Sequence, residues 1–194
     1  MNQNGGKTLS EMTREELWHL FPISLAEYNP LWKEWFADEK SLLKTALPAD
    51  RITGIHHIGS TSLGTIQAKP IVDIMVEAKS LEDFPAVQHI LLRLGYRLMS
   101  EDDGRMSYNK GYTEQGFAGK VFHLHLRRAG DSDELYFRDY LIGHPGIAKE
   151  YESLKLTLWK KYKFDRDAYT TAKTDFIREH TTAARTEYTD RYSR

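Results

Sequence analysis

The hydrophobic pattern of this chain changes character once, at Gly130, and that change limits the folds open to it. Before Gly130, short β-branched runs alternate with helical stretches; after it, only helical spacing appears. Such a chain must build a mixed sheet with flanking helices and then pack a helical bundle against it, an α+β architecture. Residues 13–130 are expected to form the sheet body and 131–194 the helices. The junction is too short for a flexible linker, so 13–194 reads as one domain behind a flexible arm over 1–12.

Within the body, Asn29-Pro30 marks a helix start, with Leu31, Trp32, Trp35, Phe36, Leu43 and Leu47 at helical spacing. A shorter helix is expected from Met12 to His19. Strands are expected over 52–58, 70–77, 96–100, 105–110 and 120–127, the last entered by a Gly-rich loop from Gly111 to Gly119. Ser80 and Asp83 have capping-box spacing for a helix ending before Gly95. The tail reads as three helices: one capped by Asp131 and Glu134, one from Pro145 to about Lys163, one from Asp165 or Asp167 to near Tyr188.

Composition narrows function more than fold. Four Trp and eleven Tyr in 194 residues give the chain enough to bury, and the absence of cysteine excludes disulfides, zinc-thiolate sites and thiol catalysis. The formal charge of −1 argues against a duplex nucleic-acid partner and for a small charged one. No run approaches the roughly 20 apolar residues of a membrane span, and the polar start MNQNGGKTLS lacks a secretory core. A cytoplasmic location without a membrane partner is expected; the oligomeric state stays open.

The chemistry sits in His56-His57-Ile58-Gly59-Ser60 and, about a dozen residues on, Lys69-Pro70-Ile71-Val72-Asp73-Ile74-Met75-Val76. A strand that ends in Gly-Ser and turns into a helix aims backbone N–H groups at one point, where glycine admits a close ligand. Ser60 and Thr61 add hydroxyl donors, and the next strand brings Asp73 forward. A phosphate cradle beside a carboxylate is what a metal-bound triphosphate requires. His123 and His125 alternate with leucines and share a strand face. If that strand lies beside the Asp73 strand, one face holds an Asp and two His, a set suited to Mn²⁺ or Zn²⁺ more naturally than Mg²⁺. The imidazoles alternatively donate hydrogen bonds to phosphate, or one of them, His125 foremost, serves as general base. Further candidates are Lys69, held extended by Pro70; Arg105 and Lys110 on one strand; and Tyr169 with Lys173, one helical turn apart. Arg138 and Asp139 read as an inter-helix salt bridge, and His57 as a residue that orients the turn or touches the ligand.

The two segments resemble the nucleotidyltransferase superfamily pattern, an apolar-Gly-Ser opening followed by Asp-apolar-acid. More closely, they resemble the GrpB family signature, with HIGST at 57–61 read alongside KP-apolar-apolar-D at 69–73. His123-Leu124-His125-Leu126, Phe137-Arg138-Asp139-Tyr140-Leu141, Tyr151 with Leu154-Lys155, and Tyr169-Thr170 with Lys173 extend the resemblance from Ile23 to Arg185. It implies a nucleotidyltransferase-like mixed sheet and a nucleotidyl transfer from a nucleoside triphosphate to an unidentified acceptor. Asp73 and His125 would be catalytic, and Asp73, His123 and His125 would hold a divalent metal (Mn, Mg or Zn). Gly59, Ser60, Thr61, Lys69, Arg105, Tyr169 and Lys173 would bind the nucleotide. The alternative is a non-catalytic nucleotide- or phosphate-binding accessory module linked to coenzyme A metabolism, since GrpB domains occur fused behind dephospho-coenzyme A kinase. Two departures stand out. Met75 replaces the superfamily's second acid, with Glu77 about 13 Å along the strand from Asp73, and Gly64-Thr65 replaces the family's usual Pro-Gly.

Overall fold

The computed structural model describes residues 6–192. β-branched and other apolar residues form Ile52–Ile58 (β1) and Val72–Ala78 (β2), and Arg97–Asp102 (β3), Arg105–Thr113 (β4) and Gly116–Arg128 (β5) complete one sheet of order β1-β2-β5-β4-β3. The β2–β5 pair is parallel and its neighbours are antiparallel. The helices are Arg14–Leu20 (α1), Leu31–Ala46 (α2), Phe84–Arg93 (α3), Asp133–Gly143 (α4), Pro145–Lys161 (α5), Arg166–Thr171 (α6) and Thr174–Glu187 (α7). The α+β class expected of the sequence is what the chain adopts.

Strand alternation divides the sheet into two faces with different tasks. Ile74, Val76, Tyr108, Leu124 and Leu126 point to one side and meet Trp32, Leu43, Val87 and Leu91 of α2 and α3 in the main core. Each such side chain contributes about 1.5–3 kcal/mol by leaving water. Asp73, Met75, His123 and His125 occupy the other side, toward the C-terminal helices. There Leu135 of α4 packs on Ile58 and Met75, and Tyr169 and Leu158 enclose Ile23. The tail is tied to the N-terminal segment by hydrogen bonds from Trp159 Nε1 to Ile23 O (2.7 Å) and from Ile23 N to Lys163 O (3.0 Å).

Three local expectations change. The Gly111–Gly119 stretch is mostly strand: β4 and β5 run on to a tight turn between Thr113 and Gly116. Gly111 (φ +91°) forms a bulge where the register slips, and a Cβ there would lie 2.4 Å from Lys120 O. Gly111 marks a close backbone approach within paired strands, not a loop. The third tail helix is two, α6 and α7, broken at Ala172-Lys173. Of the arm over 1–12, residues 1–5 lie outside the described part, and Leu9–Glu11 form a 3-10 turn closed by a Thr8–Glu11 capping box.

Candidate functional site

The site lies where β1 ends, and its shape follows from one backbone angle. Gly59 has φ +68° and ψ −178°, a conformation open essentially to glycine alone, which turns the chain from β1 into a 3-10 turn over Ser60–Ser62. The antiparallel register sets Ile58 opposite Asp73, so the Asp73 carboxylate lies directly against Gly59: an added Cβ would fall 2.3 Å from Asp73 Oδ2. The turn is anchored from behind by His57, stacked on Phe36 at 4.6 Å and hydrogen-bonded through Nε2 to Thr61 Oγ1 at 3.0 Å. Burial pushes the His57 imidazole down to about 4, so it is neutral. His57 therefore orients the turn. Thr61 is 1% exposed and committed to that bond, which leaves Ser60 as the turn's available hydroxyl.

The parallel β2–β5 register sets Asp73 beside His123 and Met75 beside His125, so acid and imidazoles do share a face. His123 Nδ1 lies 3.4 Å and His125 Nε2 3.7 Å from Asp73 Oδ1. Burial alone would raise the Asp73 carboxyl, but hydrogen bonds from the two imidazoles outweigh it and hold the acid well below the usual carboxylate range. His123 is pushed down by its own burial. We take Asp73 as ionised and His123 as a neutral donor. Tyr112 Oη hydrogen-bonds His123 Nε2 at 2.8 Å and accepts from Arg166 Nη2 at 3.0 Å. Arg127 Nη2 reaches His125 Nδ1 at 3.3 Å.

A cavity of about 830 Å³ opens over this cluster, and Gly59, Ser60, Thr61, Lys69, Asp73, Arg105, His123, His125, Tyr169 and Lys173 all line it. Four cations converge there: Lys69 and Arg166 at the mouth of a smaller neighbouring pocket walled by Trp35 and Phe117, Lys155 from α5, and Lys173 from the break between α6 and α7. Lys155 is 3% exposed and donates to Ser60 Oγ (3.1 Å) and to Gln67 O. The Nζ of Lys173 sits over the Tyr169 ring at 4.5 Å and that of Lys69 at 5.7 Å. Among the described residues none of the four cations forms an ion pair, and the ammonium groups of Lys69 and Lys173 donate no hydrogen bond. Burial, reinforced by mutual repulsion, pushes Lys69 and Lys155 down to about 7 and Lys173 to about 8.

The arginines at the rim differ, because each already has an acid. Arg105 grips Asp131 at 2.7 and 2.6 Å, Arg185 holds Asp133 at 2.7 Å and Arg178 holds Asp175 at 2.7 Å. Arg105 therefore lines the cavity as half of a salt bridge. Lys110, its expected companion, points to the opposite face and pairs with Glu39 at 2.7 Å. Arg138 and Asp139 pair at 2.7 Å within α4, and Asp139 also takes Arg191 at 3.0 Å, so the pair braces the C-terminus and does not join two helices through each other.

Two cations, Lys155 and Arg166, went unassigned from the sequence. Lys155 left a signal: it stands on the stripe Ala148, Tyr151, Lys155, Leu158 of α5, where a lysine is out of place unless it serves something inside. Arg166 left none. The expected metal set fares differently. Among the described residues no three His, Asp or Glu side chains form a metal-binding cluster, and the second-acid position, Met75, is sealed between Ile58 and Leu135.

Comparison with known proteins gives a consistent family. The family model described as GrpB protein matches residues 22–183. The glutamate-rich protein GrpB of Alkalihalophilus pseudofirmus is 37% identical over 163 residues, covering 81% of this chain and 92% of that protein. UPF0157 protein YqkA of Bacillus subtilis is 34% identical over 170 residues, or 84% of this chain, and the chain spans about half, 48%, of YqkA. A crystal structure of the conserved protein GrpB from Enterococcus faecalis superimposes with a TM-score of 0.74 at 31% identity, covering 85% of this chain and 99% of that one. No helix among the described residues is long and apolar enough to cross a membrane.

Proposed function

The chain belongs to the GrpB family, and from that premise and the geometry of its cavity we propose that it binds a nucleoside triphosphate, phosphates innermost. The observation that carries this reading is the set of four cations on one cavity with, among the described residues, no carboxylate paired to any of them. Holding like charges together at reduced solvation is costly, and an anionic ligand supplies the missing counter-charge. Ser60 and the Gly59 turn add a hydroxyl and a backbone free of side chain where the phosphates enter. The cavity volume suits a nucleotide.

Asp73 stands where the nucleotidyltransferase pattern keeps its first carboxylate, pressed against the turn, and this favours transfer of a nucleotidyl group over simple storage of the ligand. In that reaction the lysines neutralise the transferred phosphate and Asp73 with His125 orients or deprotonates the acceptor hydroxyl. A binding module without transfer uses the same cations and differs only in its indifference to Asp73.

Thermal shift separates these readings. A nucleoside triphosphate at a hundred times its Kd stabilises by about 2.7 kcal/mol, roughly 5–10 °C for a chain of this size. Lys69→Met with Lys173→Met abolishes the shift if the reading holds; an unchanged shift removes it. Incubation of labelled triphosphate with cell extract then tests transfer. No product above that of the extract alone leaves the binding module, and a product made equally well by Asp73→Asn discards the catalytic role of Asp73.

A further inference from the structure

We propose that the Asp73 cluster is a proton-locked donor site and not a metal centre, so that this cavity takes its polyphosphate as the free anion, charge-balanced by Lys69, Lys155, Lys173 and Arg166. The inference rests on the nucleotide reading above and specifies the ionic form of the ligand.

The lock is a matter of which ring nitrogen holds the hydrogen. Arg127 is 6% exposed and fixed by Glu134 (2.9 and 2.8 Å) and by the carbonyls of Met106 and Leu126 (3.2 and 3.1 Å). A guanidinium only donates, so His125 Nδ1, 3.3 Å from Arg127 Nη2, must keep its lone pair. The hydrogen of His125 then sits on Nε2, the nitrogen that faces Asp73. His123 is set the same way from the other side. The Tyr112 oxygen accepts from Arg166, and among the described residues His123 Nε2 is the acceptor that its own hydrogen finds, which leaves N–H on Nδ1, again toward Asp73.

A metal ion needs lone pairs, and both imidazoles turn N–H groups into the space where it would sit. Reversing His125 means breaking its contact with a buried arginine. Superfamily chemistry places divalent cations between acids and phosphates; here the second acid is the sealed Met75, and four fixed cations surround the same space. Charge neutralisation has passed from ions to side chains. Mg²⁺ on a polyphosphate removes the charge those lysines attract.

Titration calorimetry with inorganic triphosphate, in EDTA and then in excess Mg²⁺ or Mn²⁺, tests this. Binding in EDTA, weakened about tenfold when Mg²⁺ complexes the anion, is the expected result. Mn²⁺ added to the protein alone, followed by its paramagnetic resonance signal, should remain free. Triphosphate binding that appears only with metal, or Mn²⁺ captured by the protein alone and lost in His125→Gln, overturns the metal-free assignment while leaving the nucleotide reading intact. No heat under either condition overturns both.

Discussion

Replacing Gly59 by alanine tests the geometry at its narrowest point. Two costs can be worked out. The backbone at φ +68°, ψ −178° is strained for any residue with a Cβ, by about 1–3 kcal/mol. The new methyl would also lie 2.3 Å from Asp73 Oδ2 and 2.8 Å from Cγ, so the carboxylate must swing away from His123 and His125. Losing charged hydrogen-bonding contacts of that kind costs about 1.5–3 kcal/mol. Together these give roughly 3–5 kcal/mol, measured by urea unfolding followed through tryptophan fluorescence. The partition is checked by a cycle with Asp73→Ala, which raises the nearest clash from 2.3 to 2.9 Å. The double variant should then be more stable than additivity allows by about 1–2 kcal/mol. A Gly59→Ala loss under about 1 kcal/mol, or strict additivity, refutes the claim that turn and acid are packed against each other.

Other perturbations follow from the same site. Lys155→Met should weaken triphosphate binding at least about tenfold while leaving the melting temperature within a few degrees, since the cation it removes is buried without an acid; calorimetry and calorimetric melting read the two effects. The pH response has a definite sign. Burial holds Lys69, Lys155 and Lys173 at about 7, 7 and 8 in the folded chain, below the 10.5 of a solvated lysine, so the unfolded chain binds more protons between these limits. Stability of the ligand-free protein should rise as pH climbs from about 7 toward 10, while anion affinity falls through about 7 to 8. Denaturant midpoints and calorimetry across that range check both slopes. Met75→Asp should not restore an acid pair; it buries a charge against Ile58 and Leu135 and should cost about 3 kcal/mol or more, and a stable variant that captures Mn²⁺ contradicts this.

Much of this arrangement is written locally and therefore readable. The bounds of β1, Ile52–Ile58, follow from an isoleucine-rich run ended by Gly59-Ser60, and the Asn29-Pro30 cap fixes the start of α2. The shared face of His123 and His125 is plain from spacing of two. What is not readable is pairing. The sequence does not say that β5 lies parallel to β2, so the meeting of both histidines with Asp73 could be stated only as a condition. Gly111 looks like a loop residue because the cause of its presence, a bulge crowding Lys120 O on the next strand, is visible only once β4 and β5 are paired. Lys173 reads as mid-helix because neither Gly nor Pro marks the break between Thr171 and Thr174, and threonines only weaken a helix. Arg166 and the tautomer-setting Tyr112 act across strands and helices, and no spacing rule reaches them.

The central claim is that phosphates rest among Lys69, Lys155 and Lys173 beside Ser60. Crystals grown with a non-hydrolysable nucleoside triphosphate analogue test it most directly. Density for the phosphate chain within hydrogen-bond distance of those three ammonium groups is the expected result. An analogue bound elsewhere on the surface, with the three lysines unchanged and unliganded, contradicts it.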